Sequence, residues 1–220
     1  MKCFIFMLTA LFMIPAAYAQ KNISLKSPDG NIVFSFKLTP QKPLYKVQYK
    51  GKELIGDSEL GFSFKEQGAF GAKLLTPKAV YSQTDEQYEL VIGKASKVRN
   101  HYKQVLIPLM ESKGRQINLI VRAFNDGLAF RYEFPKQQNW SSYTMTAENS
   151  GFNISGDPGV RTLIFDTYNN NHENLYQKMP LSELKENKLM DLPAFVRVSG
   201  KNLYGRYRSQ PQGLCRDVPD

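Results

Sequence analysis

From Gln20 onward, apolar and polar residues alternate in short runs broken by turn residues. Ile23 and Leu25 alternate, Pro28-Asp29-Gly30-Asn31 supplies a turn, and Ile32, Phe34, Phe36 and Leu38 alternate again. Tyr45, Val47 and Tyr49 follow, with a turn at Lys50-Gly51-Lys52. A period of two is that of a strand with one buried face. Gly61 to Phe64, Tyr88 to Ile92, Val105 to Met110, Ile117 to Phe124, Ser142 to Ala147 and Arg161 to Phe165 extend the series. Pro108 cannot donate to a ladder, so its place inside a run predicts an edge or a bulge. One short helix is predicted, Leu181 to Lys188, after Pro180. Many strands at short spacing, without a βαβ rhythm, predict an all-β chain folded as an antiparallel β-sandwich.

The clearest element is Gln116 to Pro135, QINLIVRAFNDGLAFRYEFP. Asp126-Gly127 predicts a two-residue type I′ turn. That register sets Ala123 opposite Phe130, Val121 opposite Tyr132 and Leu119 opposite Phe134, which makes one face wholly apolar. It also sets Arg122 beside Arg131 on the other face, with Glu133 a strand step away.

Composition adds compartment and excludes some partners. The chain has 220 residues, with 14 Phe and 12 Tyr, enough for a sizeable core. Residues Met1 to Ala19 have a basic start, an apolar run, Pro15 and an Ala-Tyr-Ala end. This is the pattern of a secretory signal, cleaved before Gln20. The apolar run is too short for a membrane anchor, so the expected location is exported, periplasmic or extracellular, with no membrane attachment after cleavage. The formal charge is +9, and loss of Lys2 leaves +8. Lys and Arg are scattered, which points to a solvated surface rather than a nucleic-acid interface. Only Cys215 remains after cleavage, so the chain forms no disulfide of its own.

Candidate chemistry is sparse. His101 and His172 stand at no metal-ligand spacing, and there is no phosphate loop, nucleophile elbow or zinc pattern. Asp166, Glu173 and Glu183 would make an acid/base pair if the fold brought two together, and are otherwise loop and surface charges. Arg99-Asn100-His101-Tyr102 has the composition of a sugar-contacting loop, or of a hydrogen-bonded strand entry; Arg99, Asn100 and His101 are the candidate substrate-binding residues. Three Asn-x-Ser triplets, at Asn22, Asn139 and Asn153, match a glycosylation pattern of low specificity. No catalytic and no metal-ligating residue is assigned.

Five segments in order carry a resemblance: SLKSPDGNIVFSF near residue 24, RNHYKQ at Arg99 to Gln104, RAFNDGLAFRYEFP, NLYQKMPLSEL at Asn174 to Leu184, and LPAFVRV at Leu192 to Val198. Together they resemble the N-terminal domain of glycoside hydrolase family 97, over Gln20 to about Lys201. The resemblance implies a sandwich of the galactose-mutarotase (supersandwich) type, incomplete here at its C-terminus. It implies an exported bacterial α-glucosidase or α-galactosidase acting on oligosaccharide. The catalytic carboxylates of such an enzyme lie in a following (β/α)₈ barrel, and its site binds calcium with help from the N-terminal domain. A barrel needs about 250 residues. This chain is therefore expected to be a truncated, non-catalytic fragment that binds no calcium alone. Two other readings stay open. One is a stand-alone carbohydrate-binding sandwich. The other is a small sugar epimerase, since related sandwiches do that chemistry; it needs His101 or His172 and a carboxylate facing one groove.

The resemblance implies a T-E-A-x-L-x-D-Y pattern after LPAFVRV, with its Glu a calcium ligand. Gly205 to Asp220 reads GRYRSQPQGLCRDVPD instead. A one-base insertion in an A-run is the expected cause, because one permitted codon choice for Gly200 to Asp220 allows a family-like reading. Deleting a single A from the codons of Lys201 and Asn202 gives GKIYMAVTEANLKDYAGMYL. The expected organisation is a signal at 1–19, a partial sandwich at 20–204 and a frameshifted tail at 205–220.

Overall fold

The computed structural model describes residues 22–93, 95–185, 188–191 and 194–198, and the backbone of 203–207. The expected signal segment and most of the expected tail lie outside these residues. Strands β1 (Ile23–Lys26), β2 (Ile32–Leu38), β3 (Pro43–Tyr49) and β4 (Lys52–Glu59) form one antiparallel meander. After β5 (Phe62–Phe64) and β6 (Gly68–Phe70), a second sheet is built from β7 (Val80–Glu89), β8 (Lys97–Met110), β9 (Gln116–Ala123) and β10 (Leu128–Glu133), in the order β10-β9-β8-β7. β11 (Met145–Glu148) returns to pair with β5. β12 (Gly159–Thr162), β14 (Gln177–Pro180), β16 (Ala194–Val198) and β17 (Leu203–Tyr207) make a further sheet, and β13 (Ile164–Phe165) pairs with β15 (Leu189–Met190).

β1 packs on β8 and β2 on β9, so the first two sheets face each other as a sandwich. The alternating residues of each strand supply the filling. Ile23, Leu25, Phe34, Phe36, Tyr45 and Val47 come from one sheet. Val105, Ile107, Leu109, Ile117, Leu119, Val121 and Ala123 come from the other. Phe62, Phe64, Phe70 and Trp140 close one end of the same cluster. Each of the Val, Leu, Ile and Phe side chains among them contributes about 1.5–3 kcal/mol by leaving water.

The turns show where local chemistry decides. Lys50 (φ 48°) and Gly51 (φ 76°) both adopt positive φ between the paired Tyr49 and Lys52, the requirement of a type I′ hairpin. The hairpin predicted around Asp126-Gly127 forms, but its turn type and register are corrected. Leu128 pairs with Ala123, Phe130 with Val121 and Tyr132 with Leu119, two residues from the predicted register. Neither Asp126 nor Gly127 has positive φ. Phe124 N–H donates to the Gly127 carbonyl at 2.8 Å, while Asn125 Oδ1 accepts the Asp29 N–H at 2.9 Å. That tie to the Pro28–Asn31 turn gives Asn125 a long-range partner. A slip of two preserves side-chain parity, so the apolar face survives. Arg122 now opposes Ala129 and Arg131 opposes Ile120, and the predicted arginine pair is absent.

Pro108 lies in an inner strand, not at an edge. Pairing of β7 to β8 ends at Val80 with Leu106, and the next bridge on that side joins Leu75 to Met110. The Pro108 nitrogen falls in the gap between them, where no ladder bond is lost. The predicted helix is reduced to a 3-10 turn, Leu181–Glu183, because Leu184 is already extended (φ −72°, ψ 110°). β17 pairs with β16 through Gly205, Arg206 and Tyr207, so strand pairing runs three residues past the expected boundary at 204.

Candidate functional site

β7 and β8 are longer than the sandwich they serve. β9 pairs with β8 only from Lys103 onward, so Lys97 to Tyr102 and Thr84 to Glu89 project as a two-stranded ribbon. Arg99, Asn100 and His101 stand on this ribbon. Arg99 donates twice to Asp85, from Nε and Nη2, at 2.7 Å each. Asn100 Nδ2 donates to Glu86 Oε1 at 2.6 Å, and His101 Nε2 lies 3.9 Å from Asp85 Oδ2. The Arg99 guanidinium beside Asp85 holds that carboxyl below the usual carboxylate range. The three residues therefore share one strand, but their polar heads are engaged by acids of the neighbouring strand. Beyond them the turn exposes Val91 fully and Ile92 almost so; the strand predicted to reach Ile92 ends at Glu89.

The second grouping is the loop from Asp166 to Tyr176. His172 has φ 55°, a conformation non-glycine residues seldom adopt. Asn170 Oδ1 accepts its N–H at 3.0 Å, its Nδ1 lies 3.1 Å from Asp191 Oδ2, and its ring meets Phe165 edge-on at 5.0 Å. Sequence reasoning missed Asp191 because it lies 19 residues away, across a loop. The three carboxylates weighed as an acid/base pair have separate surroundings. Asp166 is exposed beside Lys188 (3.2 Å), Glu173 accepts from Asn171 (2.6 Å), and Glu183 sits exposed in the 3-10 turn.

Calcium takes six to eight oxygen ligands. Among the described residues, no three His, Cys, Asp or Glu side chains converge. Asp57 and Glu59, both on β4, are met by Lys37, Lys46 and Lys42. The described residues thus do not fit a calcium ion by themselves.

A sandwich of this topology matches the family model Glycosyl-hydrolase 97 N-terminal over residues 25–205. The chain belongs to glycoside hydrolase family 97. A curated relative is a retaining alpha-galactosidase of Bacteroides thetaiotaomicron, 26% identical over 205 residues, covering 89% of this chain and 30% of that protein. Among solved structures, a family 97 enzyme from Pseudoalteromonas sp. strain K8, in complexes with panose and with acarbose, aligns with a TM-score of 0.74 and 25% identity. The alignment covers 80% of this chain and 27% of that enzyme. A beta-arabinopyranosidase aligns with a TM-score of 0.58 and 26% identity over 64% of this chain and 22% of its own. The chain thus spans under a third of the length of these relatives.

Within this family 97 N-terminal domain, a further hydrogen-bonded polar feature is the stretch Asn149 to Ser155 beside β4. Gly151 N–H donates to the Glu59 carbonyl (2.9 Å), Gly56 N–H to the Asn153 carbonyl (2.7 Å) and Asn153 N–H to Ser58 Oγ (2.8 Å). The stretch covers the outer edge of the first sheet. In the sequence only the low-specificity Asn153-Ile154-Ser155 triplet falls on it, and its partners lie about 95 residues upstream.

Proposed function

We propose that this chain is the non-catalytic N-terminal sandwich of a family 97 glycoside hydrolase. The whole enzyme would cleave α-linked glucosides or galactosides of oligosaccharides with the carboxylates of a (β/α)₈ barrel. The observation that carries this reading is the family match over 25–205, set against a chain that spans only 30% of the length of its galactosidase relative. The exposed, separate surroundings of Asp166, Glu173 and Glu183 support it from the other side, since glycoside hydrolysis needs two carboxyl groups across one bond. In this reading calcium belongs to the whole enzyme, the signal-like residues 1–19 export it, and Arg99, Asn100 and His101 face the sugar or the barrel from the ribbon.

Resequencing the gene tests the reading. We expect the DNA past the codon for Asp220, taken in the frame opened by removing one A near Asn202, to encode a barrel. Sequence that encodes no barrel in any frame would contradict it.

A further inference from the structure

A groove of about 480 Å³ opens where the Asn149–Ser155 stretch crosses the end of β4. It is lined by Asp57, Ser58 and Glu59 on one side and by residues Asn149 to Asn153 on the other. Its volume is within the range of small-molecule sites.

The groove is built on the core rather than on a free loop. Tyr45, almost fully buried, donates its hydroxyl to the Gly151 carbonyl at 2.8 Å. The Tyr132 hydroxyl and Ser150 Oγ are 2.6 Å apart, and burial pushes the Tyr132 phenol up, so it stays neutral. Phe152 stacks on Phe130 (6.1 Å, 25°) and meets Tyr45 edge-on. The backbone that carries Asn149 and Asn153 is therefore fixed before any ligand arrives, which lowers the ordering cost of binding.

Charge decides the ligand class. Lys37 Nζ lies 2.9 Å from Asp57 and Lys46 Nζ 3.7 Å from it, while Lys42 meets Glu59. With their charge answered from the outer face of the sheet, the two carboxylates are poor cation ligands. As carboxylates they also repel an anion. What remains is a neutral groove dense in acceptors and amide groups, with the half-buried Phe152 ring as an apolar patch. That combination recognises a neutral polyhydroxylated molecule, whose vicinal hydroxyls donate to carboxylates and whose C–H face rests on a ring.

We propose that the groove between Asp57–Glu59 and Asn149–Asn153 is a saccharide-binding site, with Asp57 and Glu59 accepting from sugar hydroxyls and Asn149 and Asn153 holding the neighbouring positions. The neutral-sugar class follows from the groove alone. The preference for an α-linked sugar rests on the proposed function.

Titration of the ¹⁵N-labelled 220-residue chain with panose, and in parallel with the β-linked cellotriose, tests this by amide chemical shifts. Saturable shifts confined to 56–59 and 149–153 are expected with panose. Asp57→Asn and Asn149→Ala should each weaken binding about tenfold, the loss of one hydrogen bond to a charged or amide group. Glu89→Gln, out on the ribbon, should leave it unchanged. Saturation by cellotriose and not by panose would uphold the groove and count against the α-linked reading. No saturable shift with either sugar in the folded wild-type chain, up to tens of millimolar, would overturn the proposal whatever the variants do.

Discussion

The Tyr45 hydroxyl donates to the Gly151 carbonyl at 2.8 Å, joining residues 106 apart in sequence. Tyr45 is the largest of the fully buried side chains among the described residues, and its ring packs against Phe34, Phe130 and Phe152. One side chain thus fills the sandwich core and anchors the stretch that walls the groove. Tyr45→Phe keeps the ring and removes the donor. The expected cost is about 1 kcal/mol, the net worth of one such hydrogen bond. It should appear as a lower midpoint in urea with an unchanged slope.

Arg115 and Glu111 form the least exposed ion pair among the described residues, each side chain 12% exposed. Arg115 Nε donates to Glu111 Oε2 (2.6 Å) and Nη2 to Oε1 (2.9 Å), beneath the rings of Phe64, Phe70 and Trp140. Arg115→Met leaves the Glu111 charge part-buried and unpaired, at an expected cost of about 3 kcal/mol. The double variant Arg115→Met, Glu111→Leu should be more stable than Arg115→Met alone. Thermal melts of the three proteins check the order.

Gly61 has no room for a side chain. A Cβ there would stand 3.0 Å from the Phe70 carbonyl oxygen, a backbone atom held by the pairing of Phe62 with Phe70. Gly61→Ala should destabilise the chain by about 1–3 kcal/mol through overpacking. Gly127→Ala, with nothing within 4 Å of its Cβ and no positive φ, should leave the melting temperature nearly unchanged.

Asp57 and Asp29 titrate below their ordinary value of 3.8, Asp57 chiefly through Lys37 and Asp29 through Ser27. A carboxylate with a depressed folded-state pKa contributes stability that is present above the ordinary value and lost as pH falls through the folded one. Stability should therefore hold from neutral pH down to about 4 and fall below it. Asp57→Asn should flatten that acid limb. Urea midpoints measured between neutral pH and strong acid give the comparison.

Much of the sandwich was legible in the chain. The alternation of Phe34 with Phe36 and of Tyr45 with Val47 marked the buried face correctly, since a period of two fixes a face. It does not fix a register against slips of two, and the Ala123–Leu128 pairing shows this. The turn signal at Asp126-Gly127 was outweighed by Asn125, whose partner Asp29 lies 96 residues away. Most of β7 was unreadable because Val80–Glu89 is polar and exposed, with no buried face to impose a pattern. The groove was invisible for a related reason. Its walls, near residues 58 and 151, carry no motif beyond the glycosylation-type triplet at Asn153 and meet only in the fold.

The proposed function has this sandwich do no hydrolysis by itself, and activity of the purified chain is the test of that proposal. Incubated with nitrophenyl α-glucoside and nitrophenyl α-galactoside, with and without calcium, the chain should release no nitrophenol above the uncatalysed rate. Turnover that follows the 220-residue chain through successive purification steps would show that the sandwich is catalytic and overturn the proposed function.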